Sequence, residues 1–258
     1  KKAGLSIEID LYCRRTNRNE YKDVQRGKPL KSMMPLDERF LNNWKSFVRQ
    51  LLTHKNPYTK TTWGNDPALA IASLVNEDTV YVVWKRKKQF KPVYEARFKK
   101  WLAENKLKYS SEKAKLRLMA RFLTELQIKM YAEMKRYLIE ELKSQLLVSG
   151  VNYKNAEGQS FIREKLDYVD NHSYWNHPHF FPGKAYRYPV KFTPKSPVAC
   201  FAGSVRDAAH ARIFGKPFTI TEFNYVYPNG YRGQGGAVMG GLAAAQDWDG
   251  LYRFAYTS

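Results

Sequence analysis

The sequence predicts a parallel α/β fold of the (β/α)8 TIM barrel type, on three observations. Strand-like runs recur near residues 5, 70, 146, 169, 218 and 251, and helix-forming segments separate them. Such alternation implies right-handed βαβ units around a parallel sheet. The run Ala68-Leu-Ala-Ile-Ala-Ser-Leu-Val75 is almost continuously apolar, as a strand buried on both faces is. The 258 residues, 43% hydrophobic, fit a single barrel-type domain of about 250 residues, and no repeat or clear linker divides them.

Each element follows from local pattern. Lys1 and Lys2 read as the last turn of a helix that begins upstream. Leu5-Ser-Ile-Glu-Ile-Asp-Leu11 alternates apolar and polar residues after Gly4, which predicts a strand. Residues 13–34 are polar and loop-like. Pro35-Leu-Asp-Glu38 opens a helix with Phe40, Leu41, Trp44, Phe47, Val48, Leu51 and Leu52 on one face. The strand 68–75 ends in Asn76-Glu77. Residues 81–142 are helical: 81–110 read as an insertion, and a longer helix carries the apolar stripe Met119, Phe122, Leu123, Leu126, Met130, Met134, Tyr137 and Leu138. Strands are expected at 145–149 and 168–172, with a short helix at 161–166 between them. A Pro- and aromatic-rich loop runs from Trp175 to Pro197. A helix at 205–214 and a strand at 216–221 lead to Glu222. The Gly-rich stretch from Gly230 to Gly241 leads into a helix around 242–246, with Gly230–Gly236 reading as a mobile loop or tight turn, and Gly250 to Ala255 forms the last strand.

Composition narrows the function. The formal net charge is +20, and residues 85–143 hold 18 Lys/Arg against 7 Asp/Glu. That excess is either a solvated helix face or a surface that attracts nucleic acid, acidic lipid, or acidic or sulfated polysaccharide. No run of about 18 apolar residues predicts a membrane-spanning helix. Cys13 and Cys200 offer neither a disulfide framework nor a zinc spacing, and read as small half-buried side chains. His172, His177 and His179 match no usual zinc pattern, so no metal is expected. The segment Gly230-Tyr-Arg-Gly-Gln-Gly-Gly236 lacks the spacing and the Lys-Ser/Thr ending of a phosphate loop, and Ser149 and Ser204 lack a nucleophile elbow. No cofactor is implied. The chain starts without methionine, so a processed or truncated start is expected.

Chemistry in parallel barrels sits at the C-terminal ends of strands. Glu77 and Glu222 both follow apolar strands; each taken alone could be an ordinary loop acid. Together with their neighbours, Asn76-Glu77 and Thr221-Glu222-Phe-Asn224, they resemble the clan A glycoside hydrolases, cellulase-like family 5 enzymes among them. Those enzymes carry Asn-Glu after their fourth strand and a second Glu after their seventh. Gly4 to Leu11 resembles the family's third strand, Asp170-Asn-His-Ser-Tyr174 its sixth, and Gln246-Asp-Trp-Asp-Gly250 the approach to its eighth. The resemblance spans the chain apart from the helical insertion, and implies that strands three to eight are present here.

By that resemblance Glu77 is the general acid/base and Glu222 the nucleophile of a retaining enzyme that cleaves β-glycosidic bonds by double displacement. One carboxyl group protonates the departing oxygen while the other attacks the anomeric carbon. Asn76 would bind the sugar 2-hydroxyl, Tyr174 would donate to Glu222, and His172 would line the same pocket. Asn224 and the aromatic platforms Trp175 and Trp248 would contact substrate, with Trp63, Tyr225 and Tyr227 as further stacking surfaces. The substrate is a β-linked polysaccharide or oligosaccharide, neutral or anionic, and the compartment expected for such an enzyme is secreted or periplasmic.

The sequence departs from the family in lacking its first two strands, together with an arginine that follows the second. They are expected from an upstream segment or another chain. The last strand carries Arg253 and Tyr256, with no tryptophan at the family's position. Two other classes stay open: an inactive carbohydrate-binding barrel, and a basic nucleic-acid-binding protein, although no compact nucleic-acid motif is visible among the basic residues.

Overall fold

The computed structural model describes residues 4–13, 15–184 and 186–255. The readings of Lys1 and Lys2 as a helix end, and of Tyr256 as part of the last strand, lie outside them. The chain divides into two compact units, Lys1–Asp167 and Tyr168–Ser258.

The first unit is built on a three-stranded parallel sheet in the order β1-β2-β3, formed by β1 (Ile7–Asp10), β2 (Leu69–Ser73) and β3 (Leu147–Ser149). Each crossover is helical, as parallel neighbours require. Between β1 and β2 runs α1 (Glu38–Thr53), capped by the Asp37 carboxylate accepting from the Arg39 amide. Its predicted face is the buried one: Phe40, Trp44, Val48 and Leu52 pack into a core that also holds Leu74, Val75, Val148 and Met134. Trp44 is fully buried, and its Nε1 donates to the Leu74 carbonyl at 2.9 Å. It therefore fills the core and also ties down the chain leaving β2. Trp44→Ala is expected to cost about 3–5 kcal/mol in urea unfolding, the range for deleting a large buried aromatic.

Between β2 and β3 lie α2 (Val80–Arg86), α3 (Lys91–Glu104) and α4 (Glu112–Arg136). The first two and the start of α4 make a small core of their own, with Val80, Trp84, Tyr94, Phe98, Met119 and Phe122. Farther along α4, Met130, Tyr131 and Met134 enter the main core. One apolar stripe thus serves two cores. The basic residues of this region fall mainly on the exposed faces: Lys85, Arg86, Lys99, Lys100 and Lys113 are all exposed. A short α5 (Gln159–Glu164) follows β3.

The second unit has its own parallel sheet, β4 (Val169–Trp175), β7 (Phe218–Tyr225) and β8 (Gly250–Arg253), with β7 in the middle. The helices α6 (Gly203–Ala209) and α7 (Gln234–Ala245) connect its strands. Val169, Val205, Phe218, Ile220 and Met239 form its core. The loop predicted from Trp175 to Pro197 contains a two-stranded antiparallel ribbon, β5 (His179–Phe180) with β6 (Val190–Lys191). Those strands are too short to leave a period in the sequence.

The Gly-rich segment is also corrected: four of its glycines sit inside α7 rather than ahead of the helix. Glycine normally weakens a helix, but a Cβ on Gly235 would fall 2.4 Å from the Tyr225 ring, so the close approach of α7 to β7 requires that residue. The helix expected at 205–214 ends early, at Ala209. Cys13 is exposed rather than half-buried. All six predicted strands are present, in two parallel three-stranded sheets, and the described residues form no closed eight-stranded barrel.

Candidate active site

In the first unit, Asn76 and Glu77 form the turn that leaves β2. Glu77 has φ +48, in the left-handed region that residues with a side chain seldom adopt. Three contacts hold the turn. The Glu77 amide donates to Asn152 Oδ1 at 2.8 Å, the Asn76 amide donates to the Tyr12 carbonyl at 3.0 Å, and Lys31 Nζ donates to the Asn76 carbonyl. Asn152 is itself fixed, donating to Ser73 Oγ at 3.2 Å and reaching Asp10 Oδ1 at 3.4 Å. The Asn76 side-chain oxygen is buried with no hydrogen-bond partner among the described residues. An amide held out of water and unsatisfied is free to meet a ligand hydroxyl.

Behind the turn, Asp78 is fully buried. It accepts from Tyr131 Oη at 2.5 Å, while Gln127 on the same helix donates to its backbone carbonyl at 3.3 Å. Burial outweighs the Tyr131 bond and the nearby Lys31 charge, and pushes the carboxyl up to about 6. A carboxyl whose folded value lies above its unfolded one favours folding only while protonated. Its contribution is therefore full below pH about 4 and lost as pH rises through about 6, on the order of 3 kcal/mol in all. Asp78→Asn should flatten that part of the stability–pH curve, read by urea unfolding at pH values spanning the window.

In the second unit, Glu222 lies within β7 rather than after it, contrary to the sequence reading. Against β4, Ile220 pairs with Asn171 but Glu222 pairs with His172; against β8, Ile220 pairs with Leu251 and Phe223 with Arg253. Both ladders skip one residue of β7 between 220 and 223, so the strand carries a bulge there. Bulges re-aim side chains next to functional sites. Glu222 is 15% exposed, and its Oε2 accepts from Tyr174 Oη at 2.5 Å. His172 Nδ1 lies 3.6 Å from the same oxygen, beyond hydrogen-bond reach but close enough to act electrostatically.

The other edge of His172 faces Thr221 Oγ1 at 3.1 Å and Asp170 Oδ2 at 3.8 Å. Asp170 is buried and accepts from Thr219 Oγ1, the Thr221 amide and Thr221 Oγ1 at 3.1, 3.0 and 2.5 Å. Burial is the largest influence on it and raises its carboxyl, against the His172 charge and the threonine bonds. Asp170 and Thr221 thus stand behind His172, which stands beside Glu222. Both stand in the motifs read from the sequence but carried no role there, although an aspartate directly after Val169 in a buried strand is a signal in itself.

The remaining predicted residues divide. Tyr174 reaches Glu222 as expected. Asn224 shares the end of β7 with it, and its Oδ1 accepts from the Tyr225 amide at 2.8 Å. Trp175 is half-buried as the last residue of β4. Its Nε1 donates to the Lys195 carbonyl at 2.9 Å, and a Cβ on Gly203 would approach its ring to 3.0 Å. It pins the following loop. Trp248 is corrected outright: it precedes β8 and packs edge-on against Phe218, the first residue of β7, at the end of the sheet away from Glu222. Trp63 likewise precedes β2, and Tyr225 is buried with its hydroxyl on Ser204 Oγ at 2.6 Å. Tyr227 is exposed just beyond β7.

Each unit places a carboxylate at or beyond the C-terminal end of the middle strand of its parallel sheet, the side on which functional groups lie in parallel α/β folds. No protein-family model matches the sequence, and none of the curated proteins matches it. Solved structures do share its fold. The hyperthermostable endo-1,4-β-D-mannanase of Thermotoga petrophila RKU-1, solved with maltose and glycerol, aligns with a TM-score of 0.54 at 15% identity, over 98% of this chain and 64% of its own. An X-ray structure of the Thermotoga petrophila endo-β-1,4-mannanase gives the same TM-score and identity, over 98% of this chain and 50% of its own. The endo-1,4-β-mannanase of Rhizomucor miehei gives 0.53 at 13% identity, covering 96% and 62%. The likeness is one of fold, and the chain spans less than two thirds of each mannanase.

Proposed function

We propose that this chain is the larger part of a retaining glycoside hydrolase acting on a β-linked polysaccharide, with Glu222 as nucleophile and Glu77 as acid/base. The observation that carries the reading is the setting of Glu222. A carboxylate aimed by a strand bulge, accepting a short bond from Tyr174 and flanked by a His172–Asp170 pair, suits an oriented nucleophile. The Asn76-Glu77 turn supplies the second carboxyl group and an unsatisfied amide suited to a sugar hydroxyl. The fold shared with mannanases supports the same assignment.

In this reading the six parallel strands are staves three to eight of a (β/α)8 barrel, the helices after β2 include an insertion at 81–110, and the first two staves come from a preceding segment or another chain. Direct attack with retention needs two carboxyl groups about 5–5.5 Å apart. Glu222 attacks the anomeric carbon as Glu77 protonates the leaving oxygen. Glu77, now ionised, then takes a proton from water as that water displaces Glu222.

The test is reducing-sugar release from β-mannan, β-glucan and anionic β-glycans, with the first-formed anomer followed by NMR. Release of the β-anomer supports the reading. The α-anomer, or no release from any substrate by the protein together with its preceding segment, overturns it.

A further inference from the structure

Beyond the carboxylates, the second unit carries a feature that neither the fold nor the bond-cleaving chemistry requires. Between β4 and α6 the chain rises into the β5–β6 ribbon, and residues 171–206 contain no Asp or Glu. Lys184, Arg187, Lys191 and Lys195 are all exposed on it, and none forms an ion pair among the described residues. The ribbon is also aromatic. Phe181, Tyr186 and Tyr188 are exposed, the last two at 63% and 76%. The Phe180 and Tyr186 rings lie 4.9 Å apart, and Lys191 Nζ sits 5.1 Å from the centre of the Phe181 ring.

The platform is joined to Glu222. The Tyr174 ring, whose hydroxyl donates to Glu222, meets His177 edge-on at 5.9 Å, and His177 meets Phe180 at 6.0 Å. The base of the loop is pinned. Trp175 Nε1 and Asn229 Nδ2 both donate to the Lys195 carbonyl, at 2.9 and 3.3 Å; Asn176 Nδ2 donates to the Thr193 carbonyl at 2.6 Å. A surface held this way loses little entropy when a ligand lands on it.

We propose that the β5–β6 ribbon is a binding platform for an anionic β-linked glycan, one bearing uronate or sulfate groups, whose chain runs from the ribbon toward Glu222. This rests on the reading of the chain as a glycosidase. Pyranose faces stack on the rings, and the sugar's anionic groups meet Arg187, Lys191 and their neighbours. A neutral glycan needs the rings alone and leaves four like charges repelling one another across twelve residues. An acidic sugar instead pairs its charges with those cations and relieves that repulsion. A single-stranded nucleic acid also stacks on rings and pairs with cations. The continuity with Tyr174 and a carboxylate at the inner end favours the sugar.

The experiment uses the Glu222→Gln protein, so that binding is read without turnover. Titration calorimetry compares β-1,4-mannohexaose with the β-1,4-mannuronate hexasaccharide, which differs only at C6, and with a sulfated mannohexaose; an oligothymidylate of equal charge is the control. At least one anionic sugar should bind about tenfold more tightly than mannohexaose, and that margin should fall to about twofold in Arg187→Ala/Lys191→Ala and at high salt. Equal affinities for neutral and anionic sugars overturn the proposal, as does an oligothymidylate that binds more tightly than every sugar. The margin without hydrolysis by the unsubstituted protein would keep the platform and remove the enzyme reading; hydrolysis of neutral mannan without the margin would do the reverse.

Discussion

Glu222→Gln is expected to lower glycoside turnover by at least about 10⁴-fold, equivalent to about 5.4 kcal/mol of barrier, with the fold intact. Glutamine keeps an oxygen to accept from Tyr174 and fits the same bulge, so packing is preserved. On the proposed reading, what disappears is the anion that attacks the anomeric carbon and balances its developing positive charge. The accompanying measurement is labelling of the unsubstituted protein with a 2-deoxy-2-fluoro glycoside bearing an activated leaving group. The fluorine slows both steps, the good leaving group restores the first, and the covalent adduct accumulates on the nucleophile. Mass spectrometry should place it on the peptide containing Glu222. An adduct on another carboxylate, or undiminished turnover by the glutamine variant, would remove Glu222 from this role.

Glu77→Ala should show a loss that depends on the leaving group. Natural glycosidic oxygens are poor leaving groups and need the proton, so turnover of oligosaccharides should fall by about 10²–10⁴-fold, the usual range for general acid catalysis. An activated aryl glycoside leaves without help, so its first step should be nearly normal, and the glycosyl-enzyme should then wait for a base. Added azide needs no base and should restore turnover, giving a β-glycosyl azide. Equal losses on both substrate types, with no response to azide, would mean that Glu77 supports structure rather than proton transfer. Its left-handed backbone makes that control worth running. Asn152 bonds the residue-77 amide whatever the side chain, so the alanine variant should keep the turn.

Much of this architecture was legible in the residue pattern, because hydrophobic periodicity is a local property. The stripe Phe40, Trp44, Val48 and Leu52 has the spacing of one helix face, and the apolar run into Asn76-Glu77 suits a strand with a polar exit, although Ala70 in that strand is exposed and Ile71 half-buried rather than both faces being covered. The ribbon at 179–191 and the glycine-bearing helix α7 escaped notice for the opposite reason. Two-residue strands have no period, and glycines that serve close packing look the same in sequence as glycines that serve a loop.

The site divides along the same line. Glu77 and Glu222 stood out as carboxylates after apolar strands, each readable alone as a loop acid, and it was the resemblance to clan A glycoside hydrolases that joined them with Asn76, His172 and Tyr174. Only the folded chain could show that a bulge aims Glu222, that Asp170 and Thr221 back His172, that Tyr131 on a distant helix meets Asp78, or that Trp248 belongs to the far end of its sheet. Those facts depend on register and on which helix lands beside which loop. Register is settled by the ladder between strands dozens of residues apart, and a slip of one residue, as in β7, reverses every side chain beyond it.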